Sequence, residues 1–195
     1  MNHLKILLAF LITFISAFAL SNIATADAVE GELFGYKIGD SYEPTERTKK
    51  QSDRGGTVFV IRAENAKKPD DVGKVYLVAS TTSLTIGDIY SVRSFRDKNK
   101  AEEFAYKYTA FLAAKYRKHS PQQKGLADTS RLLINFDNNY ELRIRIFAPK
   151  DQKSTVHISL SIHGENKKKF SDLLKKEHDQ LLIKNAEKKG IDKGL

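Results

Sequence analysis

Two stretches of this chain alternate apolar and polar residues almost without a break, and nothing else in it constrains the fold as strongly. From Tyr140 to Ala148, Leu142, Ile144 and Ile146 fall on one side, and Glu141, Arg143 and Arg145 on the other. From Ser154 to Gly164, Val156, Ile158, Leu160 and Ile162 alternate with His157, Ser159, Ser161 and His163. Successive side chains of a strand point to opposite faces, so a period of two predicts strands with one face buried and one wet. Antiparallel sheets are the ones that commonly keep a wet face. Ser130 to Phe136 reads as a strand before them, and Asp137-Asn138-Asn139 supplies the hairpin turn, because Asn and Asp tolerate left-handed backbone angles. Pro149 to Lys153 turns the chain again.

The first half reads in the same order. Thr57 to Glu64 and Lys74 to Thr81 are rich in β-branched and aromatic residues, and Lys-Lys-Pro-Asp-Asp marks the turn between them. A third strand runs from Asp88 to Arg96. Phe104, Tyr108, Phe111, Leu112 and Tyr116 recur at helical spacing over Asn99 to Lys118, which predicts a helix whose aromatic face packs on the core. Asn99 and Glu102 have the spacing of a capping box. After a loop from Ser120 to Thr129 and the second strand set, another helix is expected over Lys167 to Lys189. Its buried stripe is Phe170, Leu173, Leu174, Leu181 and Leu182, and Gly190 ends it. The order β-β-β-α-β-β-β-α predicts an α+β domain, an antiparallel sheet with two helices packed on one face, in a tandem β-β-β-α layout.

Residues 57–189 are read as a single α+β domain and 190–195 as a C-terminal tail. Residues 29–56 form a glycine-containing N-terminal segment and a polar loop. In Val29 to Asp40, Gly31, Gly35 and Gly39 fall four apart; Glu32 and Lys37 argue for turns and short strands, with Phe34 and Ile38 docking on the core. Tyr42 to Gly56 is read as a loop or a short helix.

Residues 1–26 read as a secretory signal peptide. Lys5 is followed by an apolar run from Ile6 to Leu20, and Ala24-Thr25-Ala26-Asp27-Ala28 offers cleavage after Ala26 or Ala28. Extended to Ile23, the run reaches only the short end of a bilayer span, and Ser21 and Asn22 interrupt it. Export to the periplasm or beyond is therefore the expected localisation, with no stable membrane span after cleavage. The chain has no cysteine, which excludes lipidation at a cleavage-site cysteine, disulfides, thiol catalysis and cysteine zinc sites. The remaining length, about 167 residues, suffices for a core without staples.

Lys and Arg number 33 against 24 Asp and Glu. Such an excess suits an anionic partner, and export shifts the expectation from nucleic acid to an envelope protein or anionic envelope polymer. The run Lys167-Lys168-Lys169 is read as a solvated surface. No catalytic, metal-binding or nucleotide-binding motif is present: there is no H-E-x-x-H, no G-x-S-x-G and no phosphate-binding glycine loop. His157 and His163 sit six apart in one expected strand, roughly 20 Å, too far to share a metal ion. No catalytic residue, metal or cofactor is assigned. If the second-half strands pair, Arg143 and Arg145 join His157, Ser159, Ser161 and His163 in one polar, cationic patch, and arginine forks recognise carboxylates and phosphates.

Leu33-Phe34-Gly35 with Gly39, the strands around Val75 to Val78 and Ile86 to Ile89, and the helix Ala101 to Tyr116 resemble those of small bacterial exported proteins of unassigned function. These open with an F-G-x-x-x-G segment before an α+β domain. The resemblance implies a compact periplasmic domain and carries over no catalytic residue. The expected function is non-enzymatic binding of an envelope protein or anionic envelope component. The alternatives are a periplasmic inhibitor or immunity-type protein against a cell-wall enzyme, and a hydrolase with a cross-strand Ser/His/Glu site.

Overall fold

The computed structural model describes residues 30–43, 49–53 (backbone), 56–119, 129–149 and 152–188. The expected signal peptide, both of its expected cleavage positions and Gly190 lie outside these. In chain order the elements are β1 (Glu32–Leu33), β2 (Tyr36–Lys37), β3 (Lys49–Asp53), β4 (Gly56–Arg62), β5 (Lys74–Ser80), β6 (Ile86–Phe95), α1 (Lys98–Lys115), β7 (Ser130–Phe136), β8 (Tyr140–Phe147), β9 (Ser154–Ile162) and α2 (Gly164–Lys188). Strands β3 to β9 form one seven-stranded sheet in the order β3-β4-β5-β6-β9-β8-β7, antiparallel throughout. The chain is α+β, with both helices packed against an antiparallel sheet.

The tandem layout has a geometric meaning. Each half contributes a three-stranded meander, β4-β5-β6 and β7-β8-β9, and the two join where β6 pairs with β9, from Asp88 opposite Ser161 to Phe95 opposite Ser154. The strand order is symmetric about that seam, with β5 and β4 outside β6 as β8 and β7 are outside β9. Helix α1 leaves β6 and packs across β6 to β9. Ala101, Phe104, Ala105, Tyr108 and Leu112 are its buried stripe, and the Phe104 ring packs at a tilt between Phe95 and Tyr108.

The place over β4 and β5 that symmetry would give α2 is filled by the N-terminal segment instead. A tight turn at Phe34 and Gly35, both with left-handed backbone angles (φ 55° and 82°), folds β1 on β2. Leu33, Phe34 and Ile38 are buried, Gly39 and Tyr42 donate to the carbonyls of Ile86 and Leu84, and Tyr42 packs with Leu84 on Phe59, Ile61 and Ala79. The Tyr116 hydroxyl donates to the Glu32 carbonyl (2.6 Å) and ties the segment to the end of α1.

Displaced from that face, α2 crosses the ends of the strands. It meets Tyr140, Ile162 and Ile86 at strand ends through Phe170 and Leu173, Gly56 at the start of β4 through Leu174, and Ser80 at the end of β5 through Glu177. A Cβ at Gly87 would lie 2.5 Å from the Phe170 ring, so only a glycine in the β5–β6 bulge lets that ring seat.

Four details differ from the sequence reading. The polar stretch after Tyr42 contains an edge strand, β3, whose residues KKQSD carry no alternation because only β4 pairs with them. The cap of α1 is Asp97 rather than Asn99: its carboxylate accepts from the Asn99 N–H at 2.8 Å. Helix α2 starts at Gly164, three residues early. A left-handed Gly164 (φ 50°) reverses the chain beside the Asn138 carbonyl, where a Cβ would stand 2.2 Å away. Leu181 and Leu182, expected in the buried stripe, are 42% and 55% exposed, and Ile183 is 58% exposed. The last buried residue of α2 is Glu177; beyond it the helix has run past the sheet.

Candidate functional site

The register explains which residues face the side of the sheet away from α1. Residues paired across antiparallel strands share a face. Arg145 stands opposite His157, Arg143 opposite Ser159, and Glu141 opposite Ser161. Five of the six residues of the expected patch, Arg143, Arg145, His157, Ser159 and Ser161, are therefore brought together on one face. His163 lies one residue past β9, where its N–H donates to the Asn139 carbonyl at 2.7 Å and its ring Nδ1 lies 4.0 Å from Glu141 Oε2.

The seam between β6 and β9 continues the face into the first half of the chain. Asp88 pairs with Ser161, Tyr90 with Ser159 and Val92 with His157, and beyond them Val78 and Val60 pair on β5 and β4. A trough of about 420 Å³ lies on this face, lined by Val58, Val60, Val78, Asp88, Tyr90, Arg145, Phe147, His157, Ser159 and Ser161. The size falls within the range of small-ligand sites. Its β4–β5 end is apolar and its β8–β9 end polar. Tyr90 stacks on Tyr76 with ring centroids 5.3 Å apart, and Phe147, 41% exposed, meets the His157 ring edge-on at 4.8 Å.

The electrostatics are less uniformly positive than a count of side chains suggests. Arg143 Nη2 is 2.6 Å from Glu141 Oε1, so its charge is met within the face. Burial pushes the His157 imidazole below its ordinary value, so at neutral pH it is an uncharged donor and acceptor, with Nε2 3.5 Å from Thr155 Oγ1. Burial likewise pushes the Tyr90 phenol up, with Tyr76 and Asp88 adding to the effect. The trough thus combines one acid, one guanidinium, hydroxyls and aromatic rings. Arg143 and His163 do not line it.

Sequence reasoning missed Asp88, Tyr90, Phe147 and the three valines. In the first half both faces of the strands are apolar or aromatic, so no period of two separates Tyr76, Val78, Tyr90 and Val92 from the core residues beside them. The usable signal was Asp88, a lone acid at the start of a strand rich in β-branched and aromatic residues. Among the described residues no group of three or more His, Asp or Glu could hold a metal ion, and no helix is long and apolar enough to cross a membrane.

Two other polar clusters are structural ties. Asp71 accepts from Lys107 Nζ (2.6 Å) and from the Tyr108 hydroxyl, fixing the β4–β5 connection to α1. Glu177 receives donors from Ser80, Thr82 and Ser83 and fixes α2 to the β5–β6 connection. Comparison with protein-family models, with curated proteins and with solved structures gives no match to this chain.

Proposed function

We propose that this chain is an exported, non-enzymatic binding protein that takes an envelope partner on the open face of its sheet. One observation carries the reading: both halves of the chain contribute to a single trough on the face that α1 leaves uncovered. A face of that kind, with an apolar end, exposed ring surface and a few convergent polar groups, has the make-up of a recognition site. Export is supported by the charged, apolar and small-residue regions of residues 1–28.

The test places a photoreactive cross-linker at Ser159, inside the trough, and at Tyr106, 60% exposed on α1, as a control. Irradiation in an envelope preparation is expected to give a discrete adduct from Ser159 and none from Tyr106. Equal labelling from both positions, or none from Ser159, refutes the open face as the binding surface. Recovery of the chain from the periplasmic fraction with an N-terminus at Asp27 or Val29 tests export, and recovery of intact chain from the cytoplasm alone overturns it.

A further inference from the structure

The chemistry of the trough narrows the partner. We propose that it binds a short carboxylated oligosaccharide, an inference that rests on the open-face reading above. Asp88 and Arg145 line the same concavity. A polyanion without hydroxyls gains from Arg145 but offers the Asp88 carboxylate no donor to offset the repulsion, and a neutral polyol makes no use of the guanidinium charge. A sugar bearing a carboxylate uses both. Its carboxylate takes the guanidinium fork in a bidentate, charge-assisted pair. Its hydroxyls donate to Asp88 and exchange hydrogen bonds with Ser159, Ser161 and the uncharged His157 imidazole, which donates with one ring nitrogen and accepts with the other.

The remaining lining fits the other side of such a ligand. Pyranose rings present C–H faces between their hydroxyls, and Tyr90 and Phe147 offer aromatic surface beside an apolar floor from Val60 and Val78. The dimensions favour more than one ring. Asp88 is in register with Ser161, and Ser161 with Glu141, four residues before Arg145 on β8. At about 3.4 Å per residue along the strand and about 4.8 Å between strands, the Cα atoms of Asp88 and Arg145 stand roughly 17 Å apart. A single sugar does not reach both side chains, whereas a short oligosaccharide does.

Calorimetric titration of the purified exported chain with tetragalacturonate tests this, beside chitotetraose as a neutral oligosaccharide and hexaglutamate as a polyanion without sugar rings. Saturable binding of tetragalacturonate is expected, with chitotetraose about tenfold or more weaker, equivalent to about 1.4 kcal/mol, and hexaglutamate weaker still. Arg145→Gln is expected to lower tetragalacturonate affinity about tenfold and leave chitotetraose unchanged. Phe147→Ala, at an exposed ring whose loss leaves the core intact, is expected to weaken both sugars. Hexaglutamate binding as tightly as tetragalacturonate, or either variant binding tetragalacturonate like the wild type, overturns the proposal. If no oligosaccharide binds while the Ser159 cross-linker still captures an envelope partner, the glycan inference falls and the open-face reading stands. If both fail, both fall.

Discussion

Replacing Glu177 with alanine should destabilise the protein more than any other single change to a charged residue in α2. The side chain is 4% exposed. Its Oε1 accepts from Ser80 Oγ (3.0 Å), Ser83 N–H (3.0 Å) and Ser83 Oγ (2.7 Å), and Oε2 accepts from Thr82 N–H at 3.0 Å. Not all of this is lost on truncation. The Ser80 and Ser83 hydroxyls lie 2.7 Å from each other, and Ser83 Oγ is 2.8 Å from Thr85 Oγ1, so the hydroxyls re-pair. The loss falls on two backbone N–H groups bonded to an ionised acceptor, at about 1.5 kcal/mol each, or about 3 kcal/mol in all. Glu177→Gln keeps one oxygen but turns an N–H group toward Thr82, and should cost about 2 kcal/mol. The acid limb follows from the same contacts. Burial pushes the carboxyl up, but the bonds from Ser83, Thr82 and Ser80 together outweigh it and hold it below the ordinary 4.5. A folded value below the unfolded one stabilises above about pH 4.5, and the contribution disappears as pH falls through the folded value. Urea unfolding of wild type and both variants at about pH 7 and about pH 3 measures this. A Glu177→Ala protein within about 0.5 kcal/mol of wild type at neutral pH, or a difference that does not shrink in acid, refutes the reasoning.

Gly87→Ala places a methyl 2.5 Å from the Phe170 ring and should lower stability by about 1–3 kcal/mol in denaturant unfolding. Leu182→Lys should leave the unfolding free energy within about 0.5 kcal/mol of wild type, because that side chain is 55% exposed on the overhanging end of α2. Tyr108→Phe removes the hydroxyl donor to Asp71 and should cost about 1–2 kcal/mol, read in the same titration. In an NMR titration the His157 ring should turn over below 6.5, since burial disfavours its charged form; protonating it costs stability as pH falls below 6.5.

The second half of the chain was the more legible because its strands separate their faces chemically. Leu142, Ile144 and Ile146 against Glu141, Arg143 and Arg145 gives the strand, its orientation and its partner face at once, and the pairing of Arg145 with His157 follows from a short connection between β8 and β9. In the first half, Val58, Phe59, Val60 and Ile61 run apolar on both faces, so the strand was visible and its open side was not. Helix α2 shows a different limit. Leu181 and Leu182 keep an apolar pattern, but a periodicity cannot report where the sheet beneath it ends. The displacement of α2 to the strand ends depends on residues 30–43 occupying its symmetric position, a competition between segments far apart in sequence. Edge strand β3 was missed because backbone pairing to β4 holds it, and such pairing leaves no mark on side-chain pattern.

The seam between β6 and β9 has a consequence for how the trough comes into being. Asp88 and Tyr90 belong to one meander, and His157, Ser159, Ser161 and Arg145 to the other. Each meander is built from neighbours in sequence and can assemble early, whereas the seam closes a loop of some sixty to seventy residues and is the slow, long-range step. Neither half alone forms the trough. A slip of one residue at the seam would also turn every polar group of one half toward the core. If the trough binds as proposed, binding reports on correct assembly: a chain able to bind there has joined its halves in the right register.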